Sequence, residues 1–260
     1  MQDRVKPLKT IMNFRDFGGY DTIDGRKLKR DKLFRSAHLN NLNDEELSQI
    51  SDMKIGLVVD LRHKPERERQ PSRYPVADEA RVLVYGDPPE SESAKVAPHE
   101  AFMEHELNTA EDAHAYMMKS YSLRAGDARF QDIFKNTLIH MVETGEPILV
   151  HCAAGKDRTG TLVALIHGLL DVPDVSIRED YMLTNKAVDI ESFLEPASKM
   201  YAKRYGREIT PDALRPMFGV KQVYLDSALD TMGEIKSYAK QTLGLSEADI
   251  KALKQNYILD

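Results

Sequence analysis

Residues 148–160 read ILVHCAAGKDRTG, and this stretch decides the fold of the chain. It opens with an apolar run ending at Val150, which is too short for a helix and is typical of a buried strand. Further on, apolar residues recur at helical spacing between Leu162 and Leu170. A glycine-containing loop between a strand and a helix presents free backbone N–H groups and a positive helix end to an anion. The stretch therefore predicts an anion-binding loop at the carboxyl end of a strand in an α/β sheet.

Two further apolar runs, residues 55–61 and 81–85, match the strand run at 147–150, and helical patterns lie between them. This alternation is typical of an α/β fold with a mainly parallel sheet flanked by helices. Residues 88–127 carry little sustained apolar patterning and are interpreted as an insertion, partly loop and partly helix, that would act as a lid if it packs over the loop. Residues 176–260 have a helical pattern throughout. We expect one domain over residues 1–260, with 176–260 as a helical flank.

Three helix starts can be placed from capping signals. Asn43 is a predicted N-cap with Glu46 at the third helical position, and Thr210 is a predicted N-cap followed by Pro211. Ser246 and Asp249 resemble a capping box.

Composition excludes several classes of protein. The chain has 260 residues and a net charge of −6, so no basic face for nucleic acid is expected. No run approaches the roughly 20 apolar residues of a membrane span, so no stable membrane insertion is expected. The single cysteine allows neither an intrachain disulfide nor a cysteine-based metal cluster, and we predict no metal and no cofactor. The amino terminus lacks an apolar signal-peptide core, which favours the cytoplasm and leaves open secretion without a visible signal.

The loop combines the groups that phosphate-ester chemistry needs. A thiolate is the reactive form of cysteine, and a helix N-terminus with cationic neighbours stabilises it at Cys152. Arg158 offers a planar fork suited to two phosphate oxygens, and Lys156 adds a second cation at the rim. Gly155 lets the backbone turn tightly. Thr159 can donate its hydroxyl to the thiolate.

The ten residues from His151 to Gly160 resemble the signature of the protein tyrosine phosphatase superfamily, HC-x5-R followed by Ser or Thr. The resemblance extends to residues 13–19 (NFRDFGG), 33–36 (LFRS), 59–62 (VDLR) and 180–181 (DY), which recur in a bacterial tyrosine-specific protein phosphatase family. The Walker A pattern fails because Val150 and Asp157 occupy its glycine and hydroxyl positions. A rhodanese-type loop usually closes with arginine one residue sooner.

The resemblance implies a tyrosine-phosphatase-like fold and a set of roles. Cys152 is the predicted nucleophile, and Arg158 binds the phosphate with it. Asp87, which follows the 81–85 strand, is the predicted general acid, with Asp157 and then Asp60 as competitors. Substrate binding is expected from the rest of the loop, and supporting roles from three further residues: Ala153, Ala154, Gly155, Lys156, Asp157 and Thr159 for binding, and His151, Asp60 and Arg15 for support.

The implied activity is hydrolysis of phosphotyrosine, and of phosphoserine or phosphothreonine as further substrates, through a cysteinyl-phosphate intermediate. Phosphoinositides are the alternative substrate, suggested by the extra charge of Lys156 in the loop. An inactive phosphate-binding module and a sulfur transferase are the remaining hypotheses. The partner is therefore a phosphorylated protein or a phosphoinositide. His99, His105 and His114, in the insertion, are expected to be solvated.

Overall fold

The computed structural model describes residues 8–74, 81–86 and 96–259. Within these residues, the strands form one sheet in the order β1-β2-β5-β3-β4. Strands β2, β5, β3 and β4 are parallel, and β1 pairs with β2 antiparallel. The strands span Arg15–Asp16 (β1), Leu33–Ser36 (β2), Leu57–Asp60 (β3), Arg81–Val84 (β4) and Ile148–His151 (β5). The predicted mainly parallel sheet is confirmed.

Helices separate the strands from β2 onward and follow the last strand, β5. In chain order they span Asp44–Ser51 (α1), Lys64–Arg69 (α2), Pro98–His105 (α3), Ala110–Arg124 (α4), Ala128–Thr144 (α5), Asp157–Leu169 (α6), Asp174–Met182 (α7), Thr184–Ala187 (α8), Ile190–Tyr205 (α9), Pro211–Phe218 (α10), Gln222–Met232 (α11), Ile235–Gln241 (α12) and Glu247–Tyr257 (α13). Within the described residues, no helix is long and apolar enough to cross a membrane.

The predicted helix starts are confirmed at all three positions. The side chain of Asn43 accepts a hydrogen bond from the N–H of Glu46, and Thr210 caps α10 in the same way. Ser246 and Asp249 form the reciprocal capping box of α13. Glu46 itself is used differently, because its carboxylate accepts hydrogen bonds from the backbone of Lys9 and Thr10. This contact fastens the first described residues of the chain to α1.

Strand β5 lies at the centre of the sheet and faces a core on each side. Ile148 and Val150 belong to one apolar cluster, which includes α5, α6 and the C-terminal helices. Leu149 belongs to a second cluster beside α1. Sequence patterns did not predict β1 and β2, because β1 has only two residues and both strands carry buried charged residues, including Arg15 and Arg35.

The insertion and the helical flank pack together. In a third apolar cluster, Phe102 of α3 and Leu107, which follows α3, pack with Leu194 of α9 and Leu214 of α10. The carboxyl ends of β2, β3 and β5 meet at one edge of the sheet, where His151 lies in register with Ser36 and with Asp60. The residues that directly follow these strands therefore lie at the same edge of the sheet.

Candidate active site

The 152–158 loop connects β5 to α6 and turns at Gly155. The φ of Gly155 is +65°, and a Cβ added there would lie 2.2 Å from the carbonyl oxygen of Ser36. Both observations exclude any side chain at this position without a shift of the backbone. Cys152, at the start of the loop, is 2% exposed.

Buried charges brace the loop from behind. Arg35 donates from Nη2 to the carbonyl oxygen of Gly155 at 2.8 Å and from Nη1 to the Asp180 carboxylate at 2.8 Å. Arg15 binds the same residue, with Nη2 2.9 Å from the carbonyl oxygen of Asp180. Although burial alone would raise it, Arg15 and Arg35 hold the pKa of Asp180 well below its usual range. The predicted supporting residue Arg15 thus lies one side chain away from the loop.

Arg158 is held by Glu66, a residue of α2 that no pattern in the sequence singles out. Nη1 of Arg158 lies 2.6 Å from Oε2 of Glu66, and Nη2 lies 2.8 Å from Oε1. Nη1 also donates to the carbonyl oxygen of Leu61 at 3.1 Å. Burial would raise the pKa of Glu66, but the charge of Arg158 outweighs it and holds this pKa below its ordinary value.

Asp157 is oriented by two phenols and an arginine. The Tyr121 hydroxyl donates to Oδ1 of Asp157 at 2.7 Å, and the hydroxyl of Tyr181 lies 2.7 Å from that of Tyr121. Because the Tyr121 proton is directed at the carboxylate, Tyr181 is the donor in the second bond. Arg124 donates from Nη1 to the backbone carbonyl of Asp157 at 3.1 Å. Tyr121 and Arg124 come from α4, so the insertion reaches the loop directly.

Lys156 does not lie at the rim, and that expectation is wrong. Its side chain is buried, and Nζ donates to the carbonyl oxygens of Met217 and Gly219, the latter at 3.0 Å. Nζ also lies 3.5 Å from Oδ1 of Asp157. Burial lowers the pKa of Lys156. The ammonium group therefore ties the loop to the carboxyl end of α10.

Asp60 and His151 form a second buried group below the loop. Arg62 binds Asp60 through Nε at 2.9 Å and Nη2 at 2.7 Å, and Tyr74 donates to Oδ2 at 2.9 Å. Against the effect of burial, His151 and Arg62 lower the pKa of Asp60 to about 2. His151 Nε2 lies 3.6 Å from Asp60 Oδ2, and burial lowers the pKa of His151 to about 4. An acid this strong and this enclosed is poorly suited to protonate a leaving group.

Asp87, the predicted general acid, lies outside the described residues. The residues just before it are described: Tyr85 follows β4, and the N–H of Tyr85 donates to the carbonyl oxygen of Asp60 at 2.9 Å. The chain therefore leaves β4 at the same edge of the sheet as the 152–158 loop. The Thr159 hydroxyl is buried and makes no hydrogen bond within the described part of the chain.

A cavity of about 750 Å³ opens above the loop. Cys152, Asp157 and Arg158 line its floor, and apolar side chains of the insertion and the helical flank line its walls. The rings of Phe102 and Tyr116 stack in the wall, with centroids 4.1 Å apart. Met103, Phe193, Tyr201, Met217 and Phe218 continue this apolar wall.

The histidines of the insertion have three different environments. His99 lines the cavity with Nε2 3.8 Å from Oε1 of Glu66, and burial lowers its pKa; its side chain is 29% exposed, so it is half-buried. His114 contacts the Tyr224 hydroxyl through Nδ1 at 3.1 Å. The side chain of His105 is 67% exposed, as predicted. Among the described residues, no group of three or more His, Cys, Asp or Glu side chains is arranged to hold a metal ion.

The chain is similar in sequence to known phosphatases. A family model described as the tyrosine phosphatase family matches residues 6–259. The chain is 26% identical to the triple specificity protein phosphatase PtpB of Mycobacterium tuberculosis, over 96% of this chain and 98% of that protein. It is 24% identical to a tyrosine-protein phosphatase of Nostoc commune, over 86% of this chain and 73% of that protein. Among solved structures, the Siw14 catalytic core is similar with a TM-score of 0.34 and 16% identity, over 93% of this chain and 98% of that one.

Proposed function

This chain belongs to the tyrosine phosphatase family, and from this premise we propose that it hydrolyses phosphotyrosine in proteins by way of a cysteinyl phosphate on Cys152, with phosphoserine and phosphothreonine as further substrates. One observation carries the proposal: the only cysteine lies at the floor of an apolar-walled cavity, at the start of a loop closed by an arginine. Phosphatase chemistry itself follows from the family.

The proposed reaction has two displacements. Sγ of Cys152 attacks phosphorus, the bond from phosphorus to the ester oxygen breaks, and that oxygen takes a proton from a general acid. Water then attacks the cysteinyl phosphate and gives a proton to the carboxylate left by the first step. The bond from sulfur to phosphorus breaks, which releases inorganic phosphate and restores the thiolate. The free backbone N–H groups of residues 153–158 and the guanidinium of Arg158 stabilise the equatorial oxygens in both steps. Asp87 is the proposed acid, and Asp157, whose carboxylate lines the cavity, is its competitor.

The apolar wall favours an aromatic leaving group. Phe102 and Tyr116 present stacked rings beside the floor, and a phosphorylated tyrosine ring gains from apolar contact there, whereas a phosphoserine methylene gains little. The cavity is also within the range of pockets that enclose a whole drug-sized ligand. That spare volume supports phosphoinositides as the second candidate, because an inositol ring with several phosphates needs it.

We further propose that residues 1–260 act as a single catalytic domain in which residues 96–127 and 176–259 form the walls over the loop. The partner is then a phosphorylated protein or a phosphoinositide, met in the cytoplasm. The packing of α4 against both α10 and α11 supports one unit, and α4 and α10 also share the wall of the cavity.

A panel of phosphotyrosine, phosphoserine and phosphothreonine peptides and soluble phosphoinositides tests the proposal. We expect kcat/KM to be highest for phosphotyrosine peptides, and Cys152→Ser to abolish turnover of every substrate while inorganic phosphate still binds. Retention of more than a few per cent of wild-type activity by this variant would remove Cys152 from the nucleophile role. Preference for the inositides by tenfold or more would replace the phosphotyrosine assignment with the second candidate.

A further inference from the structure

Asn13 lies in the turn before β1 and is 3% exposed. Its φ is +60°, a left-handed conformation that few residues other than Gly, Asn and Asp adopt. The turn is fixed on both sides, since the carbonyl oxygen of Met12 accepts a hydrogen bond from the N–H of Ala37 at 3.0 Å and Phe14 stacks on Phe34 at 5.9 Å. The Asn13 side chain therefore has one defined direction.

That direction is toward the 152–158 loop. Nδ2 of Asn13 donates to the carbonyl oxygen of Gly155 at 2.9 Å and to that of Ala154 at 3.2 Å. Oδ1 of the same carboxamide accepts from Nη1 of Arg15, which fixes the orientation of the amide. Because Arg35 also donates to the Gly155 carbonyl, both lone pairs of that oxygen are engaged by donors that do not line the cavity.

Engaging these carbonyls controls where the loop amides point. In a trans peptide group the C=O and the following N–H point in opposite directions. Holding the carbonyls of Ala154 and Gly155 on the buried side therefore turns the N–H groups of Gly155 and Lys156 away from Asn13, to the side on which Ala154 and Lys156 line the cavity. Successive N–H groups that converge in this way form an anion-binding concavity.

We propose that Asn13 is a positioning residue that aims the amide groups of Gly155 and Lys156 at the substrate phosphate. The inference rests on the proposed function and adds to it a residue that does not touch the substrate. Asparagine suits this role because its carboxamide carries two N–H donors on one nitrogen without charge, whereas a carboxylate would face the two carbonyls with acceptors only. A cationic side chain would add a third charge beside Arg15 and Arg35.

Asn256 provides a matched control. Its Nδ2 donates to two consecutive carbonyls in the same way, those of Met141 and Val142, each at 2.9 Å. These contacts lie near the carboxyl end of α5, ahead of the amino end of β5 and so at the opposite end of the sheet from the loop. Asn256→Asp introduces the same chemical change far from Cys152.

The test compares Asn13→Gly, Asn13→Asp and Asn256→Asp with the wild type. Asn13→Gly removes the donor and tolerates the positive φ, and Asn13→Asp keeps the shape and replaces the donor with an acceptor. Inorganic phosphate is the probe, and its affinity is measured by protection of Cys152 from iodoacetamide, followed by intact mass. Alkylation reports this site alone, because the chain has no other cysteine.

We expect phosphate affinity to fall at least tenfold in Asn13→Gly and further in Asn13→Asp, and the pH midpoint of alkylation to move upward in both. Asn256→Asp should stay within twofold of the wild type in both readouts. Wild-type affinity and an unchanged midpoint in both Asn13 variants would overturn the inference and leave Asn13 as a turn residue. If Asn13→Asp fails to fold by circular dichroism, the glycine variant decides alone.

The same readout separates this inference from the proposed function. A wild-type chain that binds phosphate but releases none from any ester would end the proposed function, while the Asn13 variants would still show whether the loop is positioned as inferred. A wild-type chain with no phosphate protection at all would overturn the Asn13 inference as well.

Discussion

Glu66 and Arg158 form a two-point ion pair across 92 residues of sequence, with N–O distances of 2.6 and 2.8 Å. The carboxylate of Glu66 and the carbonyl oxygen of Leu61 together accept from both N–H groups of Nη1 and from one N–H group of Nη2. Within the described residues, the N–H of Nε and the second N–H of Nη2 make no hydrogen bond. These two lie on one edge of the guanidinium plane, which is the geometry that grips two phosphate oxygens.

Glu66→Gln should therefore lower kcat/KM by about 10- to 100-fold, because a neutral amide holds only one side of the fork and Arg158 gains freedom to turn. Steady-state kinetics with a phosphotyrosine peptide measure the loss. Glu100→Gln is the control, since Glu100 is also a buried carboxylate paired with arginines, Arg69 at 2.7 Å and Arg204 at 3.5 Å, and has no contact with the 152–158 loop among the described residues. Equal losses in both variants would contradict a specific role for Glu66.

Asp87→Asn should reduce turnover of alkyl phosphates far more than turnover of nitrophenyl phosphate, whose leaving oxygen needs little protonation. The basic limb of the pH–rate profile should flatten for the same reason. Asp157→Asn is measured beside it with both substrates. If the leaving-group dependence appears in Asp157→Asn and not in Asp87→Asn, the acid is Asp157.

Acid should destabilise the protein between about pH 6 and pH 4, well before most surface carboxylates are protonated. The folded pKa of Asp60 is lowered to about 2, so the stability it contributes is present above the ordinary carboxyl pKa and is lost as the pH falls. The folded pKa of His151 is lowered to about 4, so protonation in the unfolded chain starts to favour unfolding below about pH 6.5.

Urea unfolding midpoints at half-unit pH steps measure this dependence. His151→Gln removes the histidine contribution and should flatten the curve between pH 6 and 5 in particular. A wild-type midpoint that stays constant from pH 7 to pH 4 would contradict the assignment of buried charge pairs below the loop.

Lys156→Met should lower the melting temperature by several degrees, because the buried carbonyls of Met217 and Gly219 would lose their donor, at about 1–3 kcal/mol each. Differential scanning fluorimetry measures the shift. Lys119→Met is the control, since Lys119 lines the same cavity on α4 and has no comparable buried partner among the described residues. A melting temperature unchanged in Lys156→Met would show that the link between the loop and α10 contributes nothing to stability.

Peroxide should inactivate the enzyme and drive Cys152 beyond sulfenic acid when no thiol is added. Reactive thiolates oxidise readily, and the chain offers no second cysteine to trap the sulfenic acid as an intrachain disulfide. Inorganic phosphate should slow the oxidation by occupying the loop. Mass spectrometry of Cys152 after graded peroxide treatment gives the result, and an unmodified thiol would speak against a reactive cysteine.

The sequence patterns predict those features that depend only on residues close to one another in the sequence. Strands β3, β4 and β5, the loop at Gly155 and the caps at Asn43 and Thr210 follow from local periodicity and backbone chemistry. The partner of Arg158 does not, because Glu66 lies in a charged helix and only the fold distinguishes its role from that of its neighbours. The rim position expected for Lys156 is also wrong, because the carbonyls of Met217 and Gly219 at the end of α10 accept from its buried ammonium group.

The 152–158 loop is held by side chains from distant parts of the chain: Asn13 and Arg35 near the start, and Glu66 and Tyr121 in the middle. Asp180, in α7, acts through Arg35. A contact between residues so distant in sequence requires the long segment of chain between them to bring its ends together. Such contacts make folding slow. When the loop has just left the ribosome, the growing chain therefore still lacks Asp180 and the carbonyl groups at the end of α10. The thiol would therefore become reactive toward phosphate esters only at the end of synthesis. A nascent chain or a truncated fragment would then have no phosphatase activity.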